Sequence, residues 1–547
     1  MTDLAEAGAV IADFAGALMR HHPVPGGIVV VTDAKGILLQ LPFGTSELAA
    51  GTPVTESHLF EIGSISKMFA SFLVNQLIDE GRISLDTRIT AILPWVELGP
   101  RTSQVTIGRL LNHTAGLIMG ADALTDEAAQ VWSLRERAST SVDSHFHYSN
   151  VGYLLIGLAL AAIEGDSVSN MLQRRLFVPM GMSTALGSVT NADRRSLAVG
   201  YSPAANDRPW LPGDPLAPAT WFEVAAADGN IAASAADVAQ LLRFLLGNGD
   251  LDGRPIFSQS ALGRIRTYQA PTGEDIVDSV NGLRVTDSRY GLGINVELIA
   301  GHECLTHGGG MVGYASFVLS DRFSGIGVGV LTNADGDCLA AQVLARFAHR
   351  AVLAALAGDR IPQAPEADLT VTTTVGLPLL AGTTALGDAV PVSVSEAEGD
   401  GAPVALTHDG ITGRLWRTWT GDYLTDHPDL RLYPLHLVPA AADSEGQQPA
   451  DEADRVRLCA YVGHYRSYSP WFTNFRIVLR DGALRLVAPG GVEAPGEEQL
   501  LVELQPGVFR IGEPEWLPER LSLVAEVTGQ VILLDRDGCA YSRTFTP

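Results

Sequence analysis

Glu61-Ile62-Gly63-Ser64-Ile65-Ser66-Lys67-Met68-Phe69-Ala70 is the stretch on which the reading of this chain turns. Phe69, Phe72, Leu73 and Leu77 continue it at helical spacing, which predicts a helix opening at Ser64 and running through Leu77. Residues three apart share one face of a helix, so the Lys67 amine reaches the Ser64 hydroxyl, whereas Ser66 points away from Lys67. Free N–H groups and the dipole at a helix start favour negative charge developing on Ser64. A serine hydroxyl is a weak nucleophile until a base takes its proton, and a lysine can be that base once burial and nearby positive potential lower its pKa. An S-x-x-K triplet is a common accident, but this chain has only two lysines, Lys35 and Lys67, and relies on arginine elsewhere. Arginine supplies charge yet cannot be deprotonated, so a rare lysine at this spacing carries weight.

Two further motifs follow. Phe146-His147-Tyr148-Ser149-Asn150 precedes an apolar run from Val151 to Ile163 and contains a Y-x-N triplet. The Tyr148 phenol can shuttle a proton between Ser64 and a leaving group, and the Asn150 amide can accept from a lysine and donate to a substrate carbonyl. The plainer reading makes Tyr148 a core aromatic and Asn150 an N-cap. Thr306-His307-Gly308-Gly309-Gly310 opens a strand-rich stretch. Consecutive glycines there let a substrate backbone approach, and an edge-strand N–H supplies half of an oxyanion hole; the plainer reading is a flexible turn. His145 and His147 lack a third ligand and read as loop residues. Cys304, Cys338, Cys459 and Cys539 lack zinc-ligand or disulfide-framework spacing. No metal is expected.

At 547 residues, two or three domains are the prior. The 62 acidic against 37 basic residues give a net charge of −25, which repels phosphate backbones and anionic lipid. Neither nucleic acid nor membrane is an expected partner. Residues 1–20 carry Asp3, Glu6 and Asp13 without a basic start, which predicts an amphipathic helix rather than a signal peptide, and a cytoplasmic protein. The run from Val151 to Ile163 is too short for the ~20 residues that span a bilayer.

Residues 1–360 alternate helical patterns with short β runs. A first helix precedes a hairpin, Gly27–Thr32 and Gly36–Leu41. Tyr290–Leu298, Ala315–Leu319 and Gly325–Thr332 read as strands, and Ala340–Ala357 as a helix. First and last strands are expected to pair in one antiparallel sheet flanked by helices, an α/β (α+β) domain. After a boundary near 360, the β-prone run Thr370–Thr374 begins a β domain over 361–450, and the polar segment Ala442–Asp454 reads as a linker. A C-terminal barrel over 451–547 follows, with strands expected at Tyr461–Arg466, Phe475–Leu479, Leu484–Ala488, Leu500–Leu504, Phe509–Ile511, Leu521–Val527 and Val531–Asp535.

In this order the three motifs resemble the S-x-x-K, Y-x-N and K-T-G or H-x-G set of the penicillin-recognising serine hydrolases, the penicillin-binding proteins and class C β-lactamases. Gly81–Asp86 (GRISLD), Val105–Leu117 (VTIGRLLNHTAGL) and Asp228–Asp237 (DGNIAASAAD) extend the likeness over about 350 residues. The resemblance implies a serine β-lactamase-like domain and a mechanism. Ser64 attacks, Lys67 and Tyr148 manage its proton, Asn150 orients substrate, Ser64 and Gly310 supply the oxyanion N–H groups, and water resolves the acyl-enzyme without metal or organic cofactor. His113 and Thr114 fall in a structural turn. His307-Gly308-Gly309 stands where the β-lactamase pattern has lysine-threonine-glycine, removing a cation and a hydroxyl that hold a substrate carboxylate. Family members with H-G-G include D-stereospecific aminopeptidases and esterases, some with two C-terminal β domains, here expected as small lipocalin-like barrels. A loop from such a domain limits substrate size in the D-aminopeptidase plan, and Leu415–Tyr423 is a candidate. The expected substrate is a small molecule or short peptide, cleaved at an amide or ester. Esterase or acyltransfer chemistry and a non-catalytic acylated sensor or binding protein stay open as alternatives, as does a homo-oligomer.

Overall fold

The structure, a computed structural model, describes all residues except 1, 100–101, 121–125, 137–144, 274–284, 336–338, 397–398, 400, 420, 433–434, 440–451, 490–497 and 545–547. They fall into two compact units, one of residues 1–202 and 216–367, the other of residues 203–215 and 368–547.

The first unit begins with helix α1 (Thr2–His21) and the hairpin β1 (Gly26–Thr32) and β2 (Ile37–Glu47), followed by the short strand β3 (Thr52–Pro53). Helix α2 (Ser66–Asp79) carries Lys67, α3 (Asn150–Glu164) begins at the last residue of the Y-x-N triplet, and α4 (Ala235–Leu246) follows after several shorter elements. Strands β4 (Val285–Tyr290), β5 (Asn295–Ile299), β6 (His302–Met311), β7 (Tyr314–Asp321) and β8 (Ile326–Thr332) lead to α5 (Leu339–Ala357). They form one antiparallel sheet in the order β4-β5-β6-β7-β8-β1-β2-β3, so the last strand pairs with the first, Val29 opposite Val330. The segment expected as a single strand over Tyr290–Leu298 is two strands, because Gly291-Leu292-Gly293-Ile294 turns the chain between them.

β1, β7 and β8 are buried along their whole length, which fits their near-continuous apolar sequence and a sheet covered on both faces. α1 and α5 pack together, with Phe14 against Phe347 at 5.2 Å between ring centroids. α4 starts from a capping box: the Asp237 N–H donates to Ser234 Oγ, and the Ser234 N–H donates to the Asp237 carboxylate. A cap of this kind contributes about 1 kcal/mol and fixes where the helix enters.

The second unit holds a three-stranded sheet, a four-stranded sheet and a closed eight-stranded barrel between Gly463 and Thr544. Of the two small barrels expected after residue 360, one closes; the described part of 361–450 forms open sheets instead. The barrel's final strand, Cys539–Thr544, was not anticipated, and Thr370–Thr374 contributes one isolated bridge, Thr370 to Trp416, rather than a strand. The expected linker Ala442–Asp454 lies outside the described residues as far as 451, and its last three residues open the helix Glu452–Cys459. Trp416 and Trp419 are buried, so Leu415–Tyr423 supplies core aromatics. Residues 203–215 belong to this unit through Asn206, whose carbonyl accepts from Asn474 Nδ2 at 2.8 Å, and through the Arg431–Asp214 ion pair.

Candidate active site

Ser64 lies in a single 3-10 turn, Gly63–Ile65, immediately before α2 and not in the α-helix itself. Gly63 reaches φ +51°, a left-handed conformation that a side chain disfavours. The turn is tied at both ends. Phe60 and Glu61 pair with Ala233 and Ala232, the Ile62 N–H donates to the Ile231 carbonyl at 3.0 Å, and the Ile231 N–H donates to Ser66 Oγ at 3.1 Å. Ser66, the serine set aside as nucleophile, therefore anchors the turn.

Lys67 is fully buried, and its Nζ donates to Ser64 Oγ at 2.9 Å and to the Asp228 carbonyl at 2.8 Å. The same nitrogen sits 5.0 Å from the centre of the Tyr148 ring and 5.5 Å from that of Tyr153. The first two motifs thus converge on one amine.

The third motif faces Ser64 through β6. That strand pairs with β7 along Cys304–Met311, but with β5 only as far as Thr306. From His307 onward one edge is open, and the nucleophile turn lies against it. A Cβ placed on Gly63 would lie 2.5 Å from the Gly310 oxygen, and one on Gly309 would run into the Ile62 carbonyl. Ser316 Oγ reaches the same place, within 3.1 Å of the Ile62 oxygen and 3.2 Å of the Gly309 oxygen. Gly308 differs: a Cβ there would meet only Phe317, at 4.0 Å. Two of the glycines are required by close backbone approach, while the third leaves space.

His307 is fully buried and does not present its ring to solvent. Its Nδ1 lies 2.6 Å from the Gly308 carbonyl and its Nε2 2.8 Å from the Tyr290 hydroxyl. Burial, with Lys67 adding to it against the Gly308 hydrogen bond, lowers its pKa to about 3. A neutral imidazole cannot replace the cation that the lysine-threonine-glycine pattern provides, so direct substrate binding by the His307 side chain does not fit this arrangement.

His113, expected in a structural turn, holds such a turn and also positions Tyr148. It has φ +59° and lies buried beneath Tyr148, with ring centroids 4.3 Å apart. The His147 N–H donates to its carbonyl at 2.9 Å and the Ser149 N–H donates to its Nδ1 at 3.0 Å, so His113 grips the chain on both sides of Tyr148. Burial first, then Lys67, His307 and His147, hold its pKa well below the usual imidazole range. Ser149, not Asn150, caps α3: its Oγ accepts from the Gly152 N–H at 3.1 Å. Asn150 Oδ1 is thereby left buried without a hydrogen-bond partner in the site. Next to the nucleophile turn, burial raises the Glu61 carboxyl to about 8. No group of three or more His, Cys, Asp or Glu among the described residues is arranged to hold a metal ion.

A helix-flanked antiparallel sheet, with a serine turn docked against the open half of a glycine strand and a lysine beneath it, defines the penicillin-recognising class of domain. The family described as Beta-lactamase matches residues 11–353, well over half of the chain. The chain belongs to that family, whose members are serine hydrolases. It is 28% identical over 371 residues to penicillin-binding protein 4 of Amycolatopsis lactamdurans, covering 64% of this chain and 91% of that one. It is 25% identical over 321 residues to the D-aminopeptidase of Brucella anthropi, a match spanning 54% of this chain and about half, 55%, of that relative. Two solved structures share the fold. An octameric penicillin-binding protein homologue from Pyrococcus abyssi superposes with a TM-score of 0.55 at 16% identity, over 98% of this chain and 99% of the other. The D-amino acid amidase of Ochrobactrum anthropi SV3 gives 0.54 at 22% identity, over 65% of this chain and 99% of the other.

Proposed function

We propose that this chain is a serine hydrolase that cleaves an amide or ester bond of a small, peptide-like substrate through an acyl-enzyme on Ser64, with a D-aminoacyl group as the preferred acyl part. The observation that carries the proposal is the 2.9 Å contact between Lys67 Nζ and Ser64 Oγ, made by a lysine with no exposed surface. For the attack the amine, which donates to Ser64 Oγ in the structure, is neutral, keeps an N–H on the Asp228 carbonyl and turns its lone pair to the serine hydroxyl. Serine attack then forms an oxyanion beside the Ser64 and Gly310 backbone, and Tyr148, over the same amine, passes the proton to the leaving group.

The neutral, buried His307 supports substrates whose leaving group carries no carboxylate, since nothing at that position offers a fixed charge to hold one. The D-preference draws on the relatives: a D-aminopeptidase by sequence and a D-amino acid amidase by fold. A panel of D- and L-aminoacyl anilides, short-chain nitrophenyl esters and a chromogenic cephalosporin, run beside Ser64→Ala, tests the proposal. The expected order is D-anilide above L-anilide, with the cephalosporin slowest. An ester preference of several orders of magnitude removes the aminopeptidase reading, and unchanged turnover in Ser64→Ala removes the serine.

A further inference from the structure

We infer that Tyr290 is a positioning residue that acts through His307 to hold the glycine strand opposite Ser64 in register. The inference rests on the serine-hydrolase reading above and concerns how its oxyanion site is kept rigid. Three consecutive glycines, Gly308, Gly309 and Gly310, form the half of β6 that has lost its β5 neighbour. Such a segment is conformationally loose unless something pins it, whereas oxyanion donors stabilise a transition state only when they are already in place.

The Gly309 side of the strand is pinned from the front by Ile62 and Ser316. The Gly308 peptide is pinned by His307 alone, among the hydrogen bonds seen outside the strand ladder. Its carbonyl can only accept, so His307 Nδ1 carries the ring proton and donates it across 2.6 Å. In a neutral ring that leaves Nε2 as an acceptor, and the one group within reach is the Tyr290 hydroxyl at 2.8 Å, which must be the donor. The Gly308 carbonyl thus sets the tautomer, and the Tyr290 hydroxyl, by giving its proton to the remaining nitrogen, holds the ring at the angle that pins Gly308. Without that hydroxyl the buried Nε2 is left an unsatisfied acceptor, and a ring that turns to find another donor releases the Gly308 carbonyl.

Tyr290 is itself immobilised. It is fully buried at the end of β4, with its ring 4.7 Å from that of His113 and 5.4 Å from that of Phe146. The residue that sets the third motif therefore leans on the one that grips the second.

The test is Tyr290→Phe in the full chain, which removes one oxygen and keeps the ring. Sites are first titrated with a fluorophosphonate, and rates are expressed per titrated Ser64. The expected result is a kcat about ten-fold lower, KM within about two-fold, and affinity for a boronic acid transition-state analogue reduced by the same factor as kcat. His307→Asn keeps a donor near the Gly308 carbonyl but removes the acceptor for Tyr290. It should show a similar loss, and the double variant no further loss. Wild-type kcat and boronate affinity in Tyr290→Phe overturn the inference, as do single-variant losses that multiply in the double variant. If Tyr290→Phe yields few titratable sites, His307→Asn carries the comparison. Wild-type protein that fluorophosphonate fails to acylate at Ser64 overturns the underlying hydrolase reading instead.

Discussion

The closed barrel and the large sheet treat strand edges in opposite ways. In the barrel each of the eight strands between Gly463 and Thr544 has a neighbour on both sides, and Tyr465, Phe475, Phe509 and Tyr541 fill the interior. In the large sheet, β6 parts from β5 after Thr306, and its free half meets the serine turn. An unpaired edge is usually a liability that proteins cover. Here the cover is the serine turn, which in the proposed mechanism leaves strand N–H groups for a substrate. The difference teaches that the site is built where pairing stops, not where a cavity happens to be lined with reactive groups.

That comparison can be broken or sharpened experimentally. The largest effect is expected from Lys67→Arg, which keeps a positive charge beneath Ser64 but cannot accept a proton. Its turnover should fall about 10³- to 10⁴-fold, close to Ser64→Ala, in steady-state assays with the best substrate of the panel. Next comes Gly309→Ala, whose methyl collides with the Ile62 carbonyl and pushes the strand from the turn. A drop of roughly 10²- to 10³-fold in kcat is expected, the size of a lost oxyanion donor. Gly308→Ala, one residue away in open space, should stay within about three-fold; equal losses in the two variants would break the edge argument. His113→Asn, which tolerates positive φ and retains an acceptor for the Ser149 N–H but loses the ring under Tyr148, should reduce kcat about ten-fold with a displaced pH profile.

The last predictions concern stability and not turnover. The folded-state pKa of His307, about 3, lies below the ordinary 6.5, so its contribution is complete above pH 6.5 and is lost as pH falls toward 3; His113 acts in the same direction. The His307 ring is expected to steepen acid destabilisation by at most about 1.4 kcal/mol per pH unit in that window. Glu61 acts the other way. Its folded-state value of about 8 lies above the ordinary 4.5, so its contribution declines from pH 4.5 to 8 and then levels off. Denaturant melts against pH should show Glu61→Gln flattening the decline between about pH 4.5 and 8.

Much of this was legible in the sequence, for a physical reason. Helical spacing after Ser64, the apolar hairpin and the short barrel strands are local patterns, and local patterns report local structure. Long-range closure is not local. Nothing near Tyr290 announces its hydrogen bond to His307, and nothing in the HTAG turn announces that His113 will hold both neighbours of Tyr148. Gly291 and Gly293 were the available signal that Tyr290–Leu298 is two strands, outweighed by the apolar residues around them. Residues 203–215 are proline-rich, which marks a loop but does not say which unit it joins; their hydrogen bonds to Asn474 and Arg431 do. His307 was read as a substrate contact because its triplet was recognisable, while its burial depends on strands from elsewhere in the chain.

The most direct measurement is peptide mapping by mass spectrometry after brief exposure of the full chain to a fluorophosphonate probe. A stoichiometric adduct on Ser64, formed at least a hundred-fold more slowly in Lys67→Arg, is the predicted result. An adduct on another residue, or labelling of Lys67→Arg at the wild-type rate, contradicts the claim that a buried amine activates a serine at the open edge of β6.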